Sequence, residues 1–423
     1  MMRFLYNLLL WAALPYALWH LWWRGRRQPE YLQHVGERFG RCAQAPPRPL
    51  IWIHAVSVGE TRAAAPLVRQ LRERHPDHAI LLTHMTPTGR ATGEELFGAD
   101  VLRCYLPYDY PWAVRRFLDH FRPRLGIIME TELWPNLILT CRGRGIPVFL
   151  VNARLSEKSA RGYARAGSLT RAALEALAGI SAQTEADAER LRALGAPTVE
   201  VSGSVKFDIA PPPEQLELGG RLRERFGAQR PVLLAASTRE GEEALLLDAL
   251  ERARVPGLLA VIVPRHPQRF DAVAELLAKR GIPFQRRSEE AAVARDTRVV
   301  LGDSMGEMFA YYAACDLAFV GGSLLPLGGQ NLIEACAVGK PVLVGPHTFN
   351  FEEATRLAIE GGAAARVADA AELGEALNRL LRDENARQAM GQAGLAFAAR
   401  HRGATARILR MVEPALGPTS TRN

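Results

Sequence analysis

The sequence predicts an α/β protein of two doubly wound domains facing a cleft, preceded by an apolar N-terminal helix. Three observations predict it. From residue 50 onward, short apolar runs of strand length alternate with longer amphipathic stretches. Runs that are apolar throughout, not at every second position, mark strands buried on both faces of a parallel sheet. The alternation breaks at residues 210–213, where three consecutive prolines make a linker, and then restarts. At 423 residues, finally, the chain is longer than one ordinary core supports.

The first element is MMRFLYNLLLWAALPYALWHLWW, followed at residues 24–27 by RGRR. Residues 4–23 are uncharged, close to the ~20 that cross a bilayer as a helix. Trp19, Trp22 and Trp23 beside the arginines form an interfacial aromatic belt. The stronger positive cluster follows the apolar run and no small-x-small cleavage site is evident, which argues against a cleaved signal peptide. The positive-inside rule puts Arg24, Arg26, Arg27 and the body of the protein in the cytoplasm. Asn7 and Pro15 weaken a full span and leave an in-plane anchor open. Both readings attach the protein to a membrane.

Composition bounds the partners. The formal net charge is +8, and residues 1–47 hold six arginines against two glutamates, +4 of that total. No basic stripe is interleaved with aromatics, so nucleic acid is not the expected partner. A basic zone beside an apolar segment suits anionic lipid. The five cysteines (42, 104, 141, 315, 336) are widely and irregularly spaced, with no C-x-x-C pair. This argues against a zinc site or a disulfide framework and for a reducing compartment, with Cys315 and Cys336 in the core.

The apolar runs place strands at 50–53, 79–83, 101–106, 125–129, 148–152, 180–183 and 199–202. After the linker they fall at 232–236, 258–263, 299–301, 317–320, 342–344 and 365–367. The domains are therefore an anchor over 1–27, an N-terminal domain over 28–210 and a C-terminal domain over 211–423. The last helix is open to packing back on the N-terminal domain. Ligands of such sheets bind beyond the carboxyl ends of the strands, so the chemistry is sought there.

After the first strand, HAVSVGE brings Glu60 into a glycine-containing turn ahead of a helix starting near Thr61. A carboxylate here suits both a helix cap and a general base. IIMETELWPN puts Glu130 and Glu132 directly after a strand; two residues apart on an extended end they face the same way, and Glu130 is favoured as functional. SVKFD places Lys206 at the domain junction, one of only four lysines in an arginine-rich chain, which hints at a point-charge role.

In the second half, VPRHP ends a strand with Pro264, Arg265 and His266, and a strand-end arginine can clamp phosphate. GDSMGEM ends the next with Met305, Gly306 and Glu307. LAFVGGSLLPLGGQNLIE (317–334) runs from a strand through two glycine pairs into a helix carrying Glu334. Its backbone N–H groups are expected to face a bound anion, usually a phosphate, with Glu334 accepting from ribose hydroxyls. GPHTFNF (345–351) adds polar groups to the same edge. Three successive strand ends on one lip suggest a nucleotide site.

Taken in order, HAVSVGE, METELWPN, SVKFD, VPRHP, GDSMGEM, GGSLLPLGGQNLIEA and GPHTFNF resemble the 3-deoxy-D-manno-octulosonic acid (Kdo) transferases, from the anchor nearly to the C-terminus. The resemblance implies a GT-B glycosyltransferase with two Rossmann-like domains, on the cytoplasmic side of a Gram-negative inner membrane. It implies inverting transfer of Kdo from CMP-Kdo to lipid IVA, the tetraacyl-disaccharide precursor of lipid A, in lipopolysaccharide biosynthesis. It makes Glu60 the proton acceptor and Glu130 and Lys206 transition-state stabilisers. Lys206 would hold either the Kdo carboxylate or the leaving phosphate. Pro264, Arg265, Met305, Gly306, Glu307, Asn331, Leu332, Ile333 and Glu334 would bind CMP; Leu332 stands where the family often carries proline. No metal and no cofactor are implied, CMP-Kdo being a substrate. The alternatives are another membrane-associated GT-B transferase using a UDP-sugar, and a non-catalytic sugar or lipid binding module.

Overall fold

A computed structural model describes residues 2–417. The chain forms two compact units. The first runs through Asp208 and resumes at Arg402; the second is Ile209–His401.

In the first unit seven parallel strands are β1 (Leu50–His54), β2 (Ala79–His84), β3 (Leu102–Tyr105), β4 (Leu125–Met129), β5 (Val148–Ala153), β6 (Gly179–Ala182) and β7 (Glu200–Val201). Their order is β3-β2-β1-β4-β5-β6-β7, so the winding reverses between β1 and β4. Alternate residues of β1 feed opposite layers. Leu50 and Trp52 pack with Phe117 and Phe121, while Ile51 and Ile53 pack with Leu67, Val68 and Ile408. Both faces are apolar, which is why these strands read as unbroken runs. Trp52 donates its indole N–H to Thr83 Oγ1 at 2.8 Å. A Cβ on Gly126, its neighbour on β4, would lie 2.5 Å from the ring, so only glycine fits there.

The N-terminal helix, Met2–Arg27, is long and apolar enough to cross a membrane. Its first turns are bound to the first unit. Arg3 Nε donates to Asn136 Oδ1 (2.9 Å), Tyr6 Oη to Asp109 Oδ2 (3.0 Å), and Asn136 Nδ2 to Asn7 Oδ1 (2.7 Å). Tyr110 Oη donates to the Leu10 carbonyl at 2.8 Å. Leu8, Leu9, Trp19 and Trp22 are exposed, and Arg26 and Arg27 lie over the Trp22 and Trp23 rings at 4.9 and 4.4 Å.

From Arg402 the chain rejoins the first unit, so the second unit stops short of the 423 boundary that the sequence predicts. Helix Ala404–Val412 is amphipathic and buries Ala404, Ile408, Leu409 and Val412 against β1, β4 and β5 side chains. The Asp208 carboxylate accepts from the Gly403 and Thr405 N–H groups and caps this helix.

The second unit repeats the plan with β8 (Val232–Thr238), β9 (Leu259–Pro264), β10 (Phe284–Arg286), β11 (Val299–Leu301), β12 (Leu317–Val320), β13 (Val342–Val344) and β14 (Ala364–Arg366). The order is β10-β11-β9-β8-β12-β13-β14, reversing between β8 and β12. β10 is not anticipated from sequence. It is a half-buried edge strand reading Phe-Gln-Arg, without the apolar run that marks the others.

Candidate active site

Doubly wound sheets bind ligands where the winding reverses. In the first unit this point lies between the ends of β1 and β4, and the two strands deliver Glu60 and Glu130 to it. Helix Val58–Arg74 starts three residues before Thr61 because Ser57, in extended conformation, caps it. Ser57 Oγ accepts from the Glu60 N–H at 3.4 Å and donates back to Glu60 Oε1 at 3.1 Å, while Glu60 Oε2 accepts from the Val56 N–H at 2.8 Å. This is a capping box shifted by one residue. The carboxylate is thus both a cap and a titrating group. Burial pushes its pKa up to about 7, the Val56 N–H opposes, and the Glu130 and Glu132 charges raise it further. A group so tuned is half ionised near neutrality and suits a general base.

The chain leaves extended geometry at Glu130, which has φ 56°, so the alternation expected of Glu130 and Glu132 does not apply. A non-glycine residue held in the left-handed region costs about 1–3 kcal/mol, and such strain gathers at functional sites. On the adjacent strand Asn152 has φ 53°. The Glu130 N–H donates to the Val151 carbonyl at 3.0 Å, joining the two strand ends. Glu132 is also pushed up to about 7, mainly by burial, with the Glu130 charge adding. Three acidic side chains therefore feel one another at this edge, one more than the roles drawn from sequence.

Lys206 sits in the single turn Val205–Phe207. Fully buried Asn152 accepts the Val205 N–H on Oδ1 at 3.1 Å, and Val205 packs in the same core as Met129 and Val151. Helix Val58–Arg74 packs against this turn. Glu60, Glu130 and Lys206 thus share one edge of one unit. Asn152 went unnoticed in the sequence because it ends an apolar strand and its partner lies 53 residues away. Beneath the site, His54 and His84 are fully buried and burial lowers them to about 3 and about 4, so both are neutral.

In the second unit the predicted residues fall after β9, β11 and β12, with β8 lying between β9 and β12. Pro264 ends β9 and Arg265 follows it, Met305–Glu307 follow β11, and Asn331–Glu334 run from the loop after β12 into the next helix. The Arg265 N–H donates to the Thr238 carbonyl at 2.9 Å. Met305 is 59% exposed and Gly306 has φ 79°. Glu307 accepts from Arg287 (3.1 Å) and from Ser304 Oγ (2.6 Å). Asn331 Oδ1 accepts the Ile333 N–H, and its amide donates to Glu334 Oε1, both at 3.1 Å. Leu332 and Ile333 are core side chains, so only their backbone can meet a ligand.

The glycine loop corrects the sequence reading. The N–H groups of its first half do not stand bare. Fully buried Glu242 accepts from Gly322 N (2.6 Å) on Oε2, and from Ser323 N (2.9 Å) and Leu324 N (3.0 Å) on Oε1. Gly329 N donates to the Gly322 carbonyl at 2.7 Å. The following helix, Ile333–Ala337, is only five residues long. A carboxylate from helix Glu242–Arg252 thus takes the first half of the loop, part of the place that the sequence predicts for a phosphate.

Comparison with known proteins matches residues 33–209 to a family model described as 3-deoxy-D-manno-octulosonic-acid transferase (kdotransferase), and residues 281–397 to one described as glycosyl transferases group 1. A 3-deoxy-D-manno-octulosonic acid transferase of Bordetella pertussis is 47% identical over 98% of this chain and 100% of its own. That of Haemophilus influenzae is 40% identical over 98% and 99%. The structure of Anabaena HepE in complex with UDP covers 88% of this chain and 100% of that one, with a TM-score of 0.57 at 16% identity, a likeness of fold. The fold is GT-B-like, with two parallel sheets of seven strands.

Proposed function

The chain belongs to the 3-deoxy-D-manno-octulosonic acid (Kdo) transferase family, a family of glycosyltransferases, and from that premise we propose that it transfers Kdo from CMP-Kdo to lipid IVA with inversion. The observation that carries the chemistry is Glu60, a carboxylate tuned to about 7 where the winding of the first sheet reverses. An acceptor hydroxyl of the lipid attacks the anomeric carbon of Kdo. Its proton passes to Glu60, the bond from that carbon to the phosphate oxygen breaks, and CMP leaves with the electron pair. Glu130 opposes positive charge building on the sugar ring, and Lys206 neutralises the Kdo carboxylate or the departing phosphate. Pro264, Arg265, Met305–Glu307 and Asn331–Glu334 bind CMP. Neither a metal nor a cofactor takes part.

We place the enzyme on the cytoplasmic side of the inner membrane, with the N-terminal helix lying in the interface. The bonds of Arg3, Tyr6, Asn7 and Leu10 to the first unit support this, because a crossing helix would carry those residues away from their partners. Exposed leucines and tryptophans beside three arginines suit an anionic surface.

Mass spectrometry of lipid IVA after incubation with CMP-Kdo and purified protein tests the function. The acceptor should gain the mass of Kdo, and an unchanged acceptor would refute the reading. Thermal shifts with CMP against UDP separate it from a UDP-sugar transferase.

A further inference from the structure

With the Gly322, Ser323 and Leu324 N–H groups held by Glu242, the first half of the glycine loop leaves the anion of a nucleotide in the second unit to another group nearby. We propose that this group is the guanidinium of Arg239, and that it binds the nucleotide phosphate. The inference rests on the donor reading above and extends it to a residue that reading does not include.

Arg239 follows β8, the strand at which the second sheet reverses its winding toward β12. The end of β8 is bent. Ser237 is left-handed, with φ 57°, and the register against β9 shifts between Ala236 and Thr238. A bulge of this kind re-aims the residues that follow it. The Arg239 N–H donates to Glu242 Oε2 at 3.2 Å, so the carboxylate that fills the glycine loop also fixes the Arg239 backbone. Its side chain lies across the loop, for a Cβ on Gly322 would come 3.4 Å from Arg239 Cγ.

The neighbouring guanidinium groups are otherwise engaged. Arg269 pairs with Glu243 at 2.9 Å and Arg287 with Glu307 at 3.1 Å, while Arg366 donates to the Gly345 and Pro346 carbonyls. Among the described residues, the Arg239 guanidinium has neither a hydrogen bond nor an ion pair. Half-buried and unpaired, it retains its full set of donors for a ligand, and a planar fork of N–H groups matches phosphate oxygens. The local field agrees: after burial, the charges of Arg239, Arg265 and Arg269 lower His266. Like charges converging on one edge repel unless an anion joins them.

Calorimetry on full-length protein in detergent, titrated with CMP and with cytidine, tests the assignment. Arg239→Gln should weaken CMP binding about ten- to a hundredfold, as for loss of a charge-assisted hydrogen bond, and leave cytidine binding within about twofold. Arg239→Lys, which keeps the charge and guards against misfolding, should recover part of the CMP affinity. Unchanged CMP affinity in Arg239→Gln overturns the proposal. So does equal loss of CMP and cytidine, which would make Arg239 a nucleoside contact. Unchanged CMP affinity with a raised KM for the donor overturns it too, moving the guanidinium to the sugar carboxylate. Wild-type protein that binds no CMP would sink the donor reading itself, a failure distinct from these.

Discussion

Replacing Glu60 with glutamine separates its two roles. The rise of its pKa from 4.5 to about 7 means that the folded protein holds this proton more tightly than the unfolded chain does. Stability from that proton is therefore fully present below about 4.5 and lost as pH rises through about 7. At about 1.4 kcal/mol per pH unit, the swing is at most about 3 kcal/mol. Glutamine removes the titration but can still accept the Val56 N–H. The variant should thus gain stability over wild type by up to about 3 kcal/mol between pH 4.5 and pH 8, as measured by calorimetric unfolding at both values. Its transfer activity should vanish at every pH, whereas wild-type turnover should fall about tenfold per pH unit below 7. A stability difference that is the same at both pH values would refute the buried, titrating carboxylate. Full turnover by the variant would remove Glu60 from the base role.

Glu132→Gln removes a like charge from Glu60 and should move the acid limb of the pH–rate profile downward, seen by repeating the profile. Gly345→Ala places a Cβ 2.2 Å from the Ser323 carbonyl oxygen and threatens the 2.8 Å bond from Gly345 N to Ser323 Oγ. It should cost about 1–3 kcal/mol in denaturant unfolding. Changing Arg24, Arg26 and Arg27 together to glutamine should weaken binding to vesicles containing anionic lipid by about 1 kcal/mol per arginine, and spare binding to neutral vesicles, in a sedimentation assay.

Much of the fold is legible because strands buried on both faces must be apolar at every position, as Ile51, Trp52 and Ile53 are. β10 is not, since Phe284, Gln285 and Arg286 are each half-buried at an edge and satisfy no such rule. Glu60 is legible as a strand-end carboxylate, but its helix starts earlier because a single Ser57 hydroxyl captures the first turn. The glycine loop misleads for a physical reason. Backbone N–H groups donate to a carboxylate or a phosphate alike, and Glu242, about 80 residues away, looks in sequence like an ordinary acidic residue at a helix start. Local composition specifies the receptor; the chain's own fold decides what fills it.

The return of the chain at Arg402 bears on biogenesis. The core beneath β1 is incomplete until Ile408, Leu409 and Val412 arrive, and these leave the ribosome only after the whole second unit has been made. At about 5–20 residues per second, the roughly 200 intervening residues impose a wait of about 10–40 s. During that interval the nascent first unit exposes an apolar seam. Chaperone dependence should therefore track the delivery of the last helix more than the completion of either sheet.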